Sequence, residues 1–168
     1  MMRSLPEFIF EVLLFRKVLE QVSGEVFREN EQDFPSGCCD DASMLLAAYL
    51  KDLGFEKVAY IRGSNALITR HDWLEVDDYI VDITADQFSD FGVCSMYEYA
   101  HKSVIVCKSS EFHRSLKPRN DGKADFREKI HPSLDRYMKL KRRYELIAKV
   151  MRYNKAFKRD SQRVATLS

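Results

Sequence analysis

The stretch RHDWLEVDDYIVDITADQF, residues 70–88, has the pattern of two short β-strands joined by a tight turn. Residues 77–78 are an Asp-Asp pair, and aspartate is among the residues that hairpin turns prefer. A two-residue loop pairs Trp73 with Asp82, and successive side chains of a strand alternate between the two faces of a sheet. His71 and Asp82 are therefore predicted to share one face as diagonal neighbours. A four-residue loop would pair them directly.

The two faces of this hairpin differ in chemical character. An imidazole held by a carboxylate is what a cysteine nucleophile needs as its base and acid, and one face offers such a pair. The alternation predicts that the other face packs in the core. The first face carries His71, Trp73, Glu75, Ile80, Asp82 and Thr84, and the second carries Leu74, Val76, Tyr79, Val81 and Ile83.

Helical and strand periodicities assign most of the remaining chain. A run of helix, strands and helix predicts an α+β fold with an antiparallel sheet, in a single domain spanning residues 1–168. Its last part, residues 126–168, is a basic C-terminal helix segment. The predicted helices are 6–27, 39–53 and 132–157, with a short helix at 96–101; the predicted strands are 57–61, 66–76, 79–84 and 104–107; residues 117–125 are predicted to be a linker.

Charge is distributed unevenly along the chain. Residues 1–116 carry a net charge of −9 and residues 117–168 carry +10, which together give the formal net charge of +1. The apolar run FIFEVLLF near the N-terminus is too short to span a bilayer, so no transmembrane segment is expected. The four cysteines make a poor disulfide framework and favour a reducing, cytoplasmic location. Export by a route without a cleaved signal stays open.

Cys38 and Cys39 follow a Pro-Ser-Gly sequence and precede an alanine- and leucine-rich helix. A helix N-terminus favours a thiolate, although Asp40 and Asp41 oppose one unless a nearby imidazolium offsets them. Core packing is the alternative interpretation, because free cysteines are often buried. A metal site is not expected, since adjacent cysteines lack the spacing of zinc ligands. No cofactor motif is present.

Three segments together resemble transglutaminase-like proteins, a branch of the papain-like cysteine fold. SGCCDDASML followed by KDLGF resembles the family's nucleophile helix, with Cys39 in the nucleophile position and Cys38 at a variable position. HDWLE resembles the family's His-x-Trp-x-Glu strand. VDIT resembles its Val-Asp-Pro-Thr strand, with Ile83 where proline is usual. The order of cysteine, histidine and aspartate also agrees, and the resemblance covers roughly residues 34–88.

The resemblance implies a nucleophile helix packed on an antiparallel sheet and covalent acyl chemistry on protein or peptide amides. Cys39 would attack the carbonyl, His71 would take and return the proton, and Asp82 would orient His71. The Cys39 backbone N–H and a second donor, for which Gln32 is the candidate, would hold the oxyanion. Trp73 is expected to shield the site. We expect Glu75 to lie near the site or in solvent.

The acyl acceptor stays open at this stage. Water as acceptor makes the protein a hydrolase, such as a cysteine protease, an amidase or a deamidase, and an amine makes it a transamidase.

The C-terminal segment predicts an amphipathic helix. We expect its apolar stripe to dock on the domain and its basic face to be solvated. A partner helix or an anionic membrane surface stays open for the basic face, whereas nucleic acid is not expected. A second class of function therefore remains: a catalytically inactive transglutaminase-like binding module that engages an acidic partner through this helix. The stripe consists of Tyr137, Leu140, Tyr144, Ile147 and Met151.

Overall fold

The computed structural model describes residues 4–29, 33–89, 102–129 and 133–165, with side chains as far as residue 156. The described residues form an α+β fold, as the sequence predicts. Among them, no helix combines the length and the apolar character that crossing a membrane requires. The elements are α1 (Leu5–Val26), α2 (Cys39–Asp52), β1 (Val58–Gly63), β2 (His71–Val76), β3 (Tyr79–Asp82), a 3-10 helix (Ala85–Phe88), β4 (Ile105–Cys107), α3 (Glu111–Ser115), β5 (Arg119–Lys123) and α4 (Leu134–Ala165).

The five strands form one antiparallel sheet in the order β4-β3-β2-β1-β5. Leu74 pairs with Val81 in the β2–β3 hairpin, which is the register of a two-residue loop. Asp77 and Asp78 both have positive φ values, 46° and 69°, as a tight hairpin turn of this kind requires. The predicted hairpin register is therefore confirmed.

One face of the sheet packs against the long helices. Leu74 and Ile83 are buried in a core that also contains Phe15 of α1, Leu45 of α2 and Ile147 of α4. The predicted apolar stripe of the C-terminal helix faces this core, because Leu140, Ile147 and Met151 are buried and Tyr137 and Tyr144 are half-buried.

The opposite face of the sheet is also covered, which the sequence analysis did not predict. A second, smaller core contains Trp73 together with Phe88 of the 3-10 helix and Phe112 of α3. His71 lies beneath this layer and is fully buried. The His–Asp face is therefore an interior surface.

Several predicted boundaries and the predicted linker differ from the structure. Residues 119–123 form strand β5 on the edge of the sheet, where all five residues are exposed, so no apolar alternation marks the strand in the sequence. Strand β2 begins at His71 and not at residue 66, because the Asn65 side chain accepts the backbone N–H groups of Leu67 and Ile68 in a local turn. The C-terminal helix begins at Leu134. The predicted helix at residues 96–101 lies outside the described residues.

Candidate active site

Cys39 is the first residue of α2, and its side chain points toward the start of β2. Its Sγ lies 3.6 Å from Asp72 Oδ2, and Cys39 is close enough to His71 to help raise the pKa of the imidazole. One turn further along α2, the Ser43 hydroxyl donates to the Asp72 carbonyl oxygen at 3.2 Å. These contacts fix the N-terminus of α2 against the strand that carries His71.

Asp82 holds two imidazoles with a single carboxylate oxygen. His71 Nε2 lies 2.6 Å from Asp82 Oδ2, and His113 Nε2 lies 2.9 Å from the same atom. The other oxygen, Oδ1, accepts the backbone N–H of Thr84 at 2.8 Å. Ser110 lies 2.8 Å from His113 Nδ1, which fixes the second ring as well. The carboxylate is thus fully satisfied although it is buried.

Electrostatics favour a charged pair between His71 and Asp82. Burial by itself lowers the pKa of His71, but Asp82 and Cys39 outweigh it and raise this pKa to about 10. Burial likewise raises the pKa of Asp82, but His71 and His113 outweigh it and hold this pKa well below its usual range. An imidazolium is thereby favoured next to Cys39, and a neighbouring imidazolium stabilises a thiolate.

Gln87 of the 3-10 helix connects three parts of the site. Its Nε2 lies 3.4 Å from His71 Nδ1 and donates to the Thr84 carbonyl at 2.8 Å, and its Oε1 accepts the Gly37 backbone N–H at 3.3 Å. Gly37 has a φ of 66°, which suits glycine in the turn before the nucleophile helix. Gln87 therefore lies beside both the imidazole and the loop before Cys39.

Asp72 is fully buried on the side of Cys39 that faces away from Asp82. Arg62 Nε binds its Oδ1 at 2.8 Å, and Arg70 Nε binds its Oδ2 at 2.7 Å. Two guanidinium groups therefore compensate a carboxylate that touches the thiol, and a buried charge needs such partners.

The acidic residues next to Cys39 in α2 are neutralised from outside the helix. Asp41 binds Arg136 and Arg143 of α4, and Asp40 binds Arg136. Burial raises the pKa of Asp40, but the Tyr60 hydroxyl and the nearby arginines outweigh it and lower this pKa. The negative charge that the sequence places beside Cys39 is thus compensated by arginines as well as by the imidazole.

The remaining predicted site residues have different positions. Trp73 is buried beside both histidine rings, with its ring centroid 5.7 Å from that of His71 and 4.8 Å from that of His113, and its Nε1 has no hydrogen-bond partner among the described residues. Glu75 is exposed and lines a cavity of about 330 Å³ together with Trp73 and His113. Cys38 is buried in the main core with its Sγ near the Ser36 carbonyl. Gln32 lies outside the described residues.

His71, Asp82 and His113 also form a set of metal-ligand types. Their nearest nitrogen and oxygen atoms all lie within 4.8 Å of one another. The sequence analysis expected no metal, because it considered only the cysteines and found no use for His113. Hydrogen bonds among the three side chains account for their arrangement, since both Nε2 atoms lie at hydrogen-bonding distances from one carboxylate oxygen.

Sequence reasoning gave no site role to Asp72, Gln87 or His113. A signal existed for Asp72, because it is a charged residue at an apolar-face position of β2, next to Leu74 in the alternation. The Ser110 side chain accepts the backbone N–H of His113, three residues later, and this helix cap marks the start of α3. Gln87 carried no signal beyond its place in a turn.

Comparisons of the chain with family models, curated proteins and solved structures find no match.

Proposed function

We propose that this chain is a transglutaminase-like cysteine enzyme that transfers the acyl group of a protein or peptide amide. The observation that carries the proposal is that one imidazole lies beside both partners. His71 uses Nε2 to bind Asp82, and Cys39, at the N-terminus of a helix, is close enough to help raise the pKa of His71. A thiol, a base and a group that orients the base are the parts that nucleophilic acyl transfer requires.

The reaction in this proposal has two halves. Because Asp82 occupies Nε2, the proton of the Cys39 thiol rests on Nδ1 of His71 in the starting ion pair. The thiolate Sγ forms a bond to the substrate carbonyl carbon while the C=O π electrons move to the oxygen, which becomes the oxyanion. His71 then gives this proton to the departing amine as the C–N bond breaks, which leaves a thioester on Cys39. Water or a second amine attacks the thioester, His71 takes the proton of the attacking group, and the thiol is restored.

The oxyanion requires donors that do not depend on Gln32. The backbone N–H of Cys39 is one, because the first N–H groups of a helix have no partner within the helix. We propose the Gln87 side-chain amide as the second donor, since it lies next to His71 Nδ1 on the side where the thiol reacts. His113 and Thr84 act through Asp82 and keep its carboxylate fixed.

The binding-module alternative depends on a basic helix that is available to a partner. Four basic residues of α4 already bind acidic residues of this chain: Arg136 and Arg143 bind Asp41, Lys139 binds Glu29, and Lys155 binds Glu11. Arg142 and Lys149 are exposed and remain for an acidic partner. These contacts and the proximity of Cys39, His71 and Asp82 support the enzyme over the binding module.

Acylation by p-nitrophenyl acetate, followed by intact-protein mass spectrometry, tests the proposal. We expect Cys39→Ala to abolish the acyl adduct and Cys38→Ala, the matched control, to retain it. His71→Ala should slow adduct formation by about 100-fold or more, because a positioned general base contributes that much. An adduct that persists in Cys39→Ala would contradict the proposal.

The metal-ligand set gives a further discriminator. A thiol enzyme should keep its acylation rate when EDTA is added and after dialysis into metal-free buffer. Loss of acylation with EDTA, restored by added zinc, would instead show that His71, Asp82 and His113 bind a metal that the reaction needs.

A further inference from the structure

A basic pocket of about 390 Å³ is lined in part by Arg62 and Arg70, the two arginines that bind Asp72. Its described lining contains four cationic side chains, two hydroxyl side chains and a glycine, and none of these lining residues is acidic. The lining residues are Arg62, Gly63, Ser64, Thr69, Arg70, Lys117 and Arg119.

Two of the four cations are held rigidly. Arg62 and Arg70 bind the two oxygens of buried Asp72 through their Nε atoms. Their outer nitrogens bind Asp121 at 2.9 Å and Asp40 at 3.0 Å. The guanidinium groups are therefore pre-oriented at the pocket, and their charge is compensated from behind and from the side.

The other two cations have no such compensation. Neither Lys117 nor Arg119 forms an ion pair with any residue in the described part of the chain, and both are exposed. Arg119 lies directly opposite Arg62 in the β1–β5 pairing, where like charges destabilise a sheet. Lys117 has a φ of 48°, a left-handed conformation that is uncommon for residues other than glycine, asparagine and aspartate. Both features cost stability, and an anion in the pocket would offset the repulsion.

We propose that this pocket binds an anionic group, a carboxylate or a phosphate, of a ligand. Arginine side chains in a fixed orientation suit such groups, because the guanidinium donates two parallel hydrogen bonds to them. Ser64 and Thr69 add hydroxyl donors at the same pocket.

The pocket also has a consequence for the substrate, and this part rests on the proposed function. Asp72 contacts the Cys39 thiol and both pocket arginines, and the thiol and Arg70 share its Oδ2. An acyl substrate bound in the pocket by an acidic group would place its carbonyl near the thiol. The substrate class is then an amide that carries a carboxylate or phosphate close to the scissile bond, such as an acidic peptide.

Titration calorimetry with inorganic phosphate and with succinate, each in about 150 mM NaCl to screen surface charge, tests the anion site. The background is Cys39→Ala, so that the result does not depend on catalysis. Lys117→Asn with Arg119→Gln removes two pocket charges, and asparagine tolerates the left-handed backbone at position 117. Lys57→Gln with Lys123→Gln removes the same charge elsewhere on the sheet and serves as the matched control.

We expect at least one anion to bind the background protein, with binding weakened about tenfold or more in the pocket variant and unchanged in the control, because charge-assisted hydrogen bonds are lost. Preference for phosphate or for succinate then identifies the group. No binding of either anion, or equal weakening in both double variants, would overturn the proposal. Suppose that Cys39 is still acylated in the pocket variant and that the natural chain shows no preference for acidic acyl donors. This result would overturn only the link between the pocket and the substrate.

Discussion

At the scale of single residues, Asp82 determines the arrangement of the site. One of its oxygens binds both imidazoles and the other binds Thr84, so every strong acceptor position of a fully buried carboxylate is used. An asparagine in this place would keep the shape of the side chain and lose its charge. It could also present only one acceptor oxygen where the carboxylate presents two. Asp82→Asn therefore separates the charge of the residue from its packing.

The pH dependence of stability should change in Asp82→Asn. The raised pKa of His71, about 10 against about 6.5 in an unfolded chain, stabilises the fold fully below pH 6.5, and this contribution is lost as pH rises toward 10. The lowered pKa of Asp82 stabilises the fold above about pH 4, and that contribution is lost as pH falls further. Urea unfolding should show the largest deficit of Asp82→Asn between about pH 4 and 6.5 and a smaller deficit near pH 10.

Asp78→Asn is the control for this experiment. It is the same substitution in the same hairpin, at a left-handed turn position that asparagine tolerates, and it should leave stability nearly unchanged at every pH. A deficit of Asp82→Asn that stays constant from pH 5 to pH 10 would show that the charge of the His71–Asp82 pair contributes nothing to stability.

At the scale of elements, local patterns in the sequence predicted the parts of the fold that depend on near neighbours. The β2–β3 hairpin follows from the alternation of side chains between two faces around residues 77–78. Helix α2 follows from its apolar periodicity and from Gly54, which directly follows the predicted helix. His113 could not be placed in this way, because its contact with Asp82 spans 31 residues and depends on where α3 packs. Strand β5 is wholly polar and exposed, so its pairing with β1 leaves no hydrophobic pattern.

At Gly63, the last residue of β1, the backbone lies close to Leu116 and Trp73. A Cβ added there would lie 2.7 Å from Leu116 atoms and 2.9 Å from Trp73 Cη2, so the layer over the sheet would have to move. We expect Gly63→Ala to lower the free energy of unfolding by about 1–3 kcal/mol, as overpacking does. Chemical denaturation measures this change. Because Trp73 lies beside both histidines, we also expect slower acylation of Cys39 in this variant.

Gly24 is the matched position for this substitution. It lies inside α1, and an added Cβ meets nothing within 4 Å. Gly24→Ala should therefore raise the free energy of unfolding by about 0.5–1 kcal/mol through helix propensity. Destabilisation of equal size in both variants would show that the contact at Gly63 is not the cause.

At the scale of the whole molecule, the charge division of the sequence corresponds to contacts between α4 and the rest of the chain. Arg136 and Arg143 bind the two acidic residues that directly follow Cys39, and Lys155 binds Glu11 of α1. Arg143 is only 7% exposed, so it is not part of the solvated basic face that the sequence predicts. The basic helix therefore stabilises the start of α2 from outside.

Two double variants of α4 separate the effect of the ion pairs with Asp40 and Asp41 from the effect of the helix's overall positive charge. Arg136→Gln with Arg143→Gln leaves Asp40 and Asp41 without these partners. Breaking a buried ion pair by removing one member costs about 3–5 kcal/mol. Because Arg136 is partly exposed, we expect the free energy of unfolding to fall by about 3 kcal/mol. Arg142→Gln with Lys149→Gln removes the same charge from exposed positions and should leave stability within about 0.5 kcal/mol.

The acylation rate of Cys39, measured under conditions in which every variant is fully folded, shows whether α4 influences the thiol. In the Arg136/Arg143 variant Asp41 loses both of its arginines, whereas Asp40 keeps Arg70. The added negative charge beside the thiol opposes the thiolate, because like charges repel over a few ångströms. Acylation should therefore slow in the Arg136/Arg143 variant and its dependence on pH should move to higher pH, whereas the Arg142/Lys149 variant should match the natural chain. If both variants acylate at the natural rate, α4 stabilises the fold without influencing the thiol. The basic helix would then be a structural element and not a part of the active site.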